Sequence, residues 1–194
     1  MKQQRTRDRH AALVAAAAEL LEQDGWSGLT HRRLTALTGV PLSTITYYFA
    51  GIDELVLQAA AELARHHLDR ARTLVDAVPR RRASAARSAG LVAAVLVGPD
   101  PTPKSLQSLY ERYLRAGRTP ALRELVTSWN ADLHALAAEV LERTGRPASR
   151  TQLRLLVAAL DGLLVTGLAE GRQDPVAYAV RIAAPLVPDV HPNG

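Results

Sequence analysis

The sequence predicts an all-α protein of about nine helices, and three observations carry that expectation. Apolar residues recur at three- and four-residue spacing through most of the chain. Glycine and proline fall mainly between those runs, and no stretch alternates apolar with polar residues as a half-buried strand does. The breakers divide the chain into a small amino-terminal region over residues 1–52 and a larger helical region over residues 53–194.

A first helix is predicted over Arg7 to Gln23, with Leu13, Ala17, Leu20 and Leu21 at helical spacing. Gly25 ends it, and Trp26 and Leu29 fold the connection back onto it. Thr30 suits an N-cap, since its hydroxyl can accept from the free N–H groups of the first turn. Leu34 and Leu37 then fall at i, i+3 as the buried face, and Gly39 closes the helix where a left-handed residue is needed. Val40 is an apolar plug, and Pro41 suits the first turn of the next helix because it has no N–H to leave orphaned. Ile45 and Phe49 at i, i+4 form the buried side of that helix. Leu42, Ser43, Thr44, Thr46, Tyr47 and Tyr48 share the outward directions.

A surface of hydroxyls and tyrosines is poor core material but suits phosphates, base edges and thymine methyls. The two short helices and their tight turn read as a helix-turn-helix whose second helix, from about Pro41 to Phe49, enters the major groove of double-stranded DNA. Leu42, Ser43, Thr44 and Tyr47 are the expected base or near-base contacts, with Thr46 and Tyr48 on phosphates. Arg32 can reach a guanine edge or a phosphate. Thr30 and His31 stand at a helix N-terminus, where a phosphate binds naturally. Lys2, Arg5, Arg7 and Arg9, offset by Asp8, read as a disordered basic tail that wraps toward phosphates or a minor groove; an ordinary solvated terminus is the alternative. AALVAAAA after that arm is interrupted by Glu19 and Glu22 and is far short of the roughly 20 residues that span a bilayer, so a cytoplasmic protein without a membrane partner is expected.

The long connecting helix runs from Asp53 to about Val78, with Asp53 and Glu54 favouring its positive end, and Pro79 stops it. The next covers about Arg82 to Val97, before GPDPTP. Ser105 to Ala116 follows, with Leu106, Leu109, Tyr110, Tyr113 and Leu114 on one side. Thr119 and Pro120 start a helix to about Thr144, whose core side is Leu122, Leu125, Val126, Trp129, Leu133, Leu136 and Val140. Gly145 to Pro147 breaks it, and Ser149 or a neighbour starts a helix over about Arg150 to Glu170. Gly171 ends that one, and Asp174 with Pro175 starts the last, to about Pro185. LRLLVAALDGLLVTGLAEG is apolar on more than one face, and Gly162 and Gly167 are costly within a helix unless another backbone approaches closely. Packing within the chain and pairing with a second copy both answer that description.

Composition narrows the partners. The net charge of +5 and a pI near 10.1 favour a polyanion, although Arg80, Arg81, Arg82 and Arg87 lie outside the motif and read most simply as a solvated loop and helix start. The absence of cysteine removes disulfides, thiolate zinc sites and thiol redox chemistry. His66 and His67 follow Glu62 without an HExxH or paired carboxylate set, and there is no GxSxG or phosphate-cradling loop, so neither catalysis, a metal nor a cofactor is expected.

The set Gly25, Leu29, Thr30, Arg32, Leu34, Gly39, Val40, Thr44, Ile45, Tyr48, Phe49, Glu54 and Leu55 resembles the tetracycline-repressor (TetR) family of bacterial transcription regulators over roughly the first third of the chain. Family members commonly carry tyrosine where this chain has Thr46 and lysine where it has Ile52, both on DNA phosphates; Thr46 keeps one hydrogen-bonding hydroxyl and Ile52 keeps none. The resemblance implies a homodimer formed by the two C-terminal helices, about 150–186, reading a palindromic operator with heads about 34 Å or a multiple apart. It also implies a ligand-responsive repressor released by a small-molecule inducer held among the helices from Asp53 to Glu170. Tyr110, Tyr113, Trp129 and Asn130 are the expected lining, with His67, His134 and Asp161 behind them. An aromatic content of 4% favours an aliphatic or mixed ligand over a large stacked one. The competing readings are a helical accessory or ligand-binding protein with weakened operator binding, and an apolar-ligand carrier or enzyme.

Overall fold

A computed structural model describes residues 2–189, without the side chains of residues 2–5, Ser27 and Leu42. Among the described residues there are nine α-helices, one terminal 3-10 turn and no strand. The helices are α1 (Lys2–Gly28), α2 (His31–Thr38), α3 (Leu42–Tyr48), α4 (Ile52–Ala77), α5 (Ala85–Val97), α6 (Pro103–Ala116), α7 (Pro120–Arg143), α8 (Arg150–Ala169) and α9 (Pro175–Ala183). The chain divides into two compact units, Met1–His66 with Lys104–Val126, and His67–Pro103 with Thr127–Gly194.

In the first unit the core gathers Leu13, Ala17 and Leu21 of α1, Leu34 of α2, Ile45 of α3 with Phe49, Leu55 and Ala59 of α4, and Leu122 and Val126 of α7. The basic arm is not a disordered tail: it continues α1, so the helix is longer than its apolar pattern indicates; the side chains of Lys2 and Arg5 lie outside the described residues. Gly25 breaks the helical path with φ 66°, ψ −166°, a conformation open to glycine and strained for any side chain. The break turns Trp26 and Leu29 inward. Gly39 caps α2 at φ 66°, and the Thr38 hydroxyl donates to the Leu34 carbonyl while accepting from Val40 N–H, which locks the turn into α3.

Two apolar residues fall elsewhere than their spacing indicates. Leu37 is 48% exposed, because α2 buries only a narrow stripe through Leu34, and Thr38 takes the inner side at i+4. Leu114 is 76% exposed, since the inward stripe of α6 is Leu106, Leu109, Tyr113 and Ala116, and Leu114 lies about 100° beyond Tyr113.

In the second unit α8 packs mainly on α9, and α5 packs on both. Ser88, Val92 and Leu96 of α5, Leu133, Leu136 and Val140 of α7, and Leu156, Leu160 and Leu164 of α8 are buried. Arg146, in the break between α7 and α8, is a pin: it donates to the Ala83 carbonyl at 2.8 Å, to the Pro188 carbonyl at 3.1 Å and to Asp189 at 2.8 Å. Ser149 and Gln152 form a reciprocal capping box at the start of α8. The two glycines of α8 serve different ends. A methyl group on Gly167 would stand 3.1 Å from Pro175 Cβ, so α9 needs glycine there to approach, whereas nothing lies within 4 Å of the equivalent point on Gly162.

Ser149→Ala is expected to destabilise the protein by about 1 kcal/mol, the usual value of a lost N-cap. Gly167→Val, by wedging α9 away, is expected to destabilise it more; chemical denaturation midpoints of the two variants check both.

Candidate nucleic-acid interface

The helix-turn-helix is built so that one side of each short helix is committed to the core and the other is left to solvent. On α2 the Thr30 side chain caps the helix by accepting from Arg33 N–H at 3.3 Å. His31 is half-buried, with its Nδ1 enclosed and no hydrogen-bond partner for that atom among the described residues. Arg32 is exposed and makes no ion pair among the described residues, while its neighbour Arg33 is held by Asp24. The two adjacent arginines therefore have different roles: Arg33 fixes α2 to α1, and Arg32 is available to a ligand.

On α3, Ile45 is buried and Phe49 follows it into the core. Ser43 and Thr46 are exposed, Thr44 is half-buried, and the Leu42 side chain lies outside the described residues. The Thr46 hydroxyl donates to the Ser43 carbonyl at 3.1 Å, so its remaining capacity toward a phosphate is as an acceptor or through a change of rotamer. Tyr47 is 79% exposed, its ring 5.3 Å from that of Tyr48 in an edge-on pair. Tyr48 is half-buried against the core, and His10 of α1 stacks on Phe49 at 4.7 Å and meets Tyr48 edge-on at 6.2 Å. Ile52 packs on the same core, so α4 begins with an apolar anchor where a reaching cation would otherwise stand.

The end of α1 is clamped by one face of α6, a feature the sequence did not reveal. Lys104 reaches Asp24 at 2.7 Å, the buried Ser108 hydroxyl donates to the Leu21 carbonyl at 2.8 Å, and the Arg115 guanidinium lies 5.0 Å over the Trp26 ring. Asp24 thus receives both Lys104 of α6 and Arg33 of α2. Its carboxyl is held below the usual aspartate range, first by the hydrogen bond from Lys104 and also by Arg33, against the opposing effect of burial. Beside this face Arg112 is lowered to about 10 by burial, with the charges of Tyr113 and Glu22 opposing the shift. These residues are separated by many positions in the chain, and no local pattern marks them as partners.

The expected ligand-lining residues are divided between the two units. Tyr110 and Tyr113 lie on α6 in the first, half-buried, with rings 6.2 Å apart. Trp129 and Asn130 lie on α7 in the second. Trp129 is 2% exposed and meets the edge of His67 at 5.3 Å, while His67 Nε2 is 2.9 Å from the Val95 carbonyl oxygen. Asn130 lines a groove of about 500 Å³ together with His134.

Residues 13–66 match the family of bacterial regulatory proteins described as the tetR family, and residues 83–189 match the tetracyclin repressor-like C-terminal domain. The chain belongs to the TetR family. Membership makes it a DNA-binding transcriptional regulator, not an enzyme, in a family whose members bind DNA and small molecules. Among solved structures, the multidrug-binding protein EbrR complexed with imidazole is 30% identical over 95% of this chain and 97% of its own, with a TM-score of 0.68. EbrR complexed with ethidium is 31% identical, covering 93% and 99%, with a TM-score of 0.62. A TetR-family member from Streptomyces coelicolor A3 is 30% identical, covering 95% and 99%, with a TM-score of 0.61. No curated protein matches this chain in sequence.

Asp24 allows a test of the clamp. A carboxylate with a depressed folded-state pKa adds stability above its unfolded value, near 4, and that contribution is lost as the pH falls through the folded value. Asp24→Asn is therefore expected to be less stable than wild type at pH 7, with the difference closing below about pH 4; urea midpoints across that range measure it.

Proposed function

We propose that the protein is a homodimeric repressor that binds a palindromic operator in double-stranded DNA in the cytoplasm and is released by a small-molecule effector. The observation that carries the reading is the outward face of the helix-turn-helix. A 79% exposed Tyr47, and an Arg32 with no ion pair among the described residues, stand beside a buried Ile45 and Phe49 and an Arg33 held by Asp24. An exposed tyrosine beside serine and threonine hydroxyls matches base edges and phosphates, and a free guanidinium matches a guanine edge or a phosphate. The roles assigned are base or near-base contact for Leu42, Ser43, Thr44 and Tyr47, and phosphate contact for Thr30, His31, Thr46 and Tyr48. Because Tyr48 is braced by His10, its hydroxyl would be presented at a fixed position.

The dimer is supported by an exposed stripe on α8. Leu155, Ala158, Gly162, Val165 and Ala169 are all exposed and recur at alternating three- and four-residue spacing, the repeat of a helix seam. Ile182 and Leu186 add exposed apolar surface at the end of the chain. α8 is apolar and long enough to cross a membrane, with 33% of its most apolar window buried within the chain. A second copy covering the stripe accounts for that apolarity, and Gly162, with open space around it, is where a partner backbone could come closest. Palindromic DNA and two-fold protein symmetry go together.

The effector is read as a small organic molecule. EbrR, the multidrug-binding neighbour, is known in complexes with proflavin, ethidium and malachite green. Its action on DNA would pass through α4, which leads directly out of the helix-turn-helix and runs on into the second unit. Only an effector that binds the two head separations with different affinity can shift them.

Selection of bound fragments from a random DNA pool at near-physiological salt is expected to enrich a palindrome; sequence-independent retention that vanishes with salt would instead favour the accessory-protein reading. Tyr47→Ala is expected to weaken operator binding without altering dimerisation. Arg32→Ala is expected to lose about 1–3 kcal/mol and relax specificity at one position if its contact is with a base edge, and to weaken all sequences alike if it is with a phosphate. Val165→Glu, at an exposed position, is expected to give folded monomers by sedimentation.

A further inference from the structure

In the second unit, several arginines meet carboxylates. Arg72 pairs with Glu139 at 2.6 Å, Arg143 with Glu139 at 2.9 Å, Arg146 with Asp189 at 2.8 Å and Arg172 with Glu170 at 2.7 Å. Arg150 and Arg154 do not: among the described residues neither side chain makes an ion pair or hydrogen bond, and, unlike the other arginines without a carboxylate, the two share one groove. They stand one turn apart on α8 and line a groove of about 500 Å³ with Thr127, Asn130 and His134 of α7, floored by Leu153; no aspartate or glutamate lines it. The volume is within the range of small-molecule sites.

The charge arrangement there is unfavourable to the protein alone. Arg150 is the first residue of α8, at the helix end that carries partial positive charge and has no acidic residue in its first turn. His134 is kept below its usual titration range by burial and, after that, by the positive charge of Arg154. Two guanidiniums and a helix N-terminus thus share one concavity with an imidazole held toward its neutral form, and no carboxylate is among the lining residues. Each guanidinium offers a planar fork of donors, Asn130 and Thr127 add neutral polar groups, and Leu153 supplies an apolar floor.

We infer that this groove between α7 and the start of α8 is a binding site for a small organic anion, whose charged group bridges Arg150 and Arg154 and whose apolar body lies on Leu153. That such a molecule serves as the effector rests on the ligand-responsive reading above; that the groove binds it does not.

The test is calorimetric titration of the full-length protein with 4-phenylbutanoate, its neutral amide and inorganic phosphate. Wild type is expected to bind the carboxylate about tenfold or more tightly than the amide, as charge-assisted hydrogen bonds imply. Arg150→Ala/Arg154→Ala is expected to remove that preference, leaving the amide unchanged. Both arginines are exposed, so the variant should fold, and its thermal melt checks this. Equal binding of acid and amide, equal binding by wild type and variant, or no binding of either anion by wild type would overturn the proposal. A variant that fails to dimerise, from a wild type that binds no anion, would assign the arginines to carboxylates of a second copy. Operator retention in the same titrations is read separately: anion binding without operator release keeps the site and removes only its role as the effector site.

Discussion

The buried hydroxyl of Ser108 donates to the Leu21 carbonyl where α6 crosses the last turns of α1, and the arrangement of the helix-turn-helix depends on that seam. Leu21 lies just before the glycine break at Gly25, where a free chain has most choice of direction. A hydrogen bond out of solvent fixes the carbonyl on one side of the break, and Trp26, under the Arg115 guanidinium, fixes the other. Asp24, between them, then holds Arg33 of α2. The orientation of the two short helices is thus set by α6, a segment some 80 residues later in the chain. Short helices of seven and eight residues have little stability of their own, and it is this external bracing, with the apolar core beneath, that makes a rigid surface of them.

The same seam ties α6 mechanically to the helix-turn-helix. α6 touches α1 through a salt bridge, a buried hydrogen bond and a cation–ring contact, each of which has a short range and a narrow geometry. A displacement of α6 along its axis cannot keep all three, so the helix-turn-helix would have to follow it or release it.

Glycine spacing illustrates how one residue type serves two constraints within a single helix. Gly167 serves α9, whose first proline comes nearer than an ordinary side-chain contact allows. Gly162, five residues earlier, has nothing among the described residues within 4 Å of where a side chain would begin and lies in a stripe of small and apolar exposed residues. A helix apolar on two sides satisfies one side within the chain, and the other is left over for a partner.

Much of the architecture was legible in the sequence, because it rests on local chemistry. Thr30, Ser149 and Asp174 are caps where a hydroxyl or carboxylate precedes an apolar run, and Gly39 is a left-handed stop. The alternation of buried Ile45 and Phe49 with outward Ser43, Thr46 and Tyr47 follows from helical periodicity alone. The inward faces of α2 and α6 were less legible: Leu37 and Leu114 sit at helical spacing but just off the stripe that the neighbouring helices cover. Spacing gives an angle around a helix axis, whereas burial depends on where the next helix lies. Only the folded chain separated Arg32 from Arg33, by bringing Asp24 to one of them, and only it set Arg150 and Arg154 beside His134 in a groove without a carboxylate. Helices, caps and breaks are decided over a few residues and can be read there; which charges meet and which are left unmatched is decided by segments distant in the chain, and so belongs to the tertiary structure.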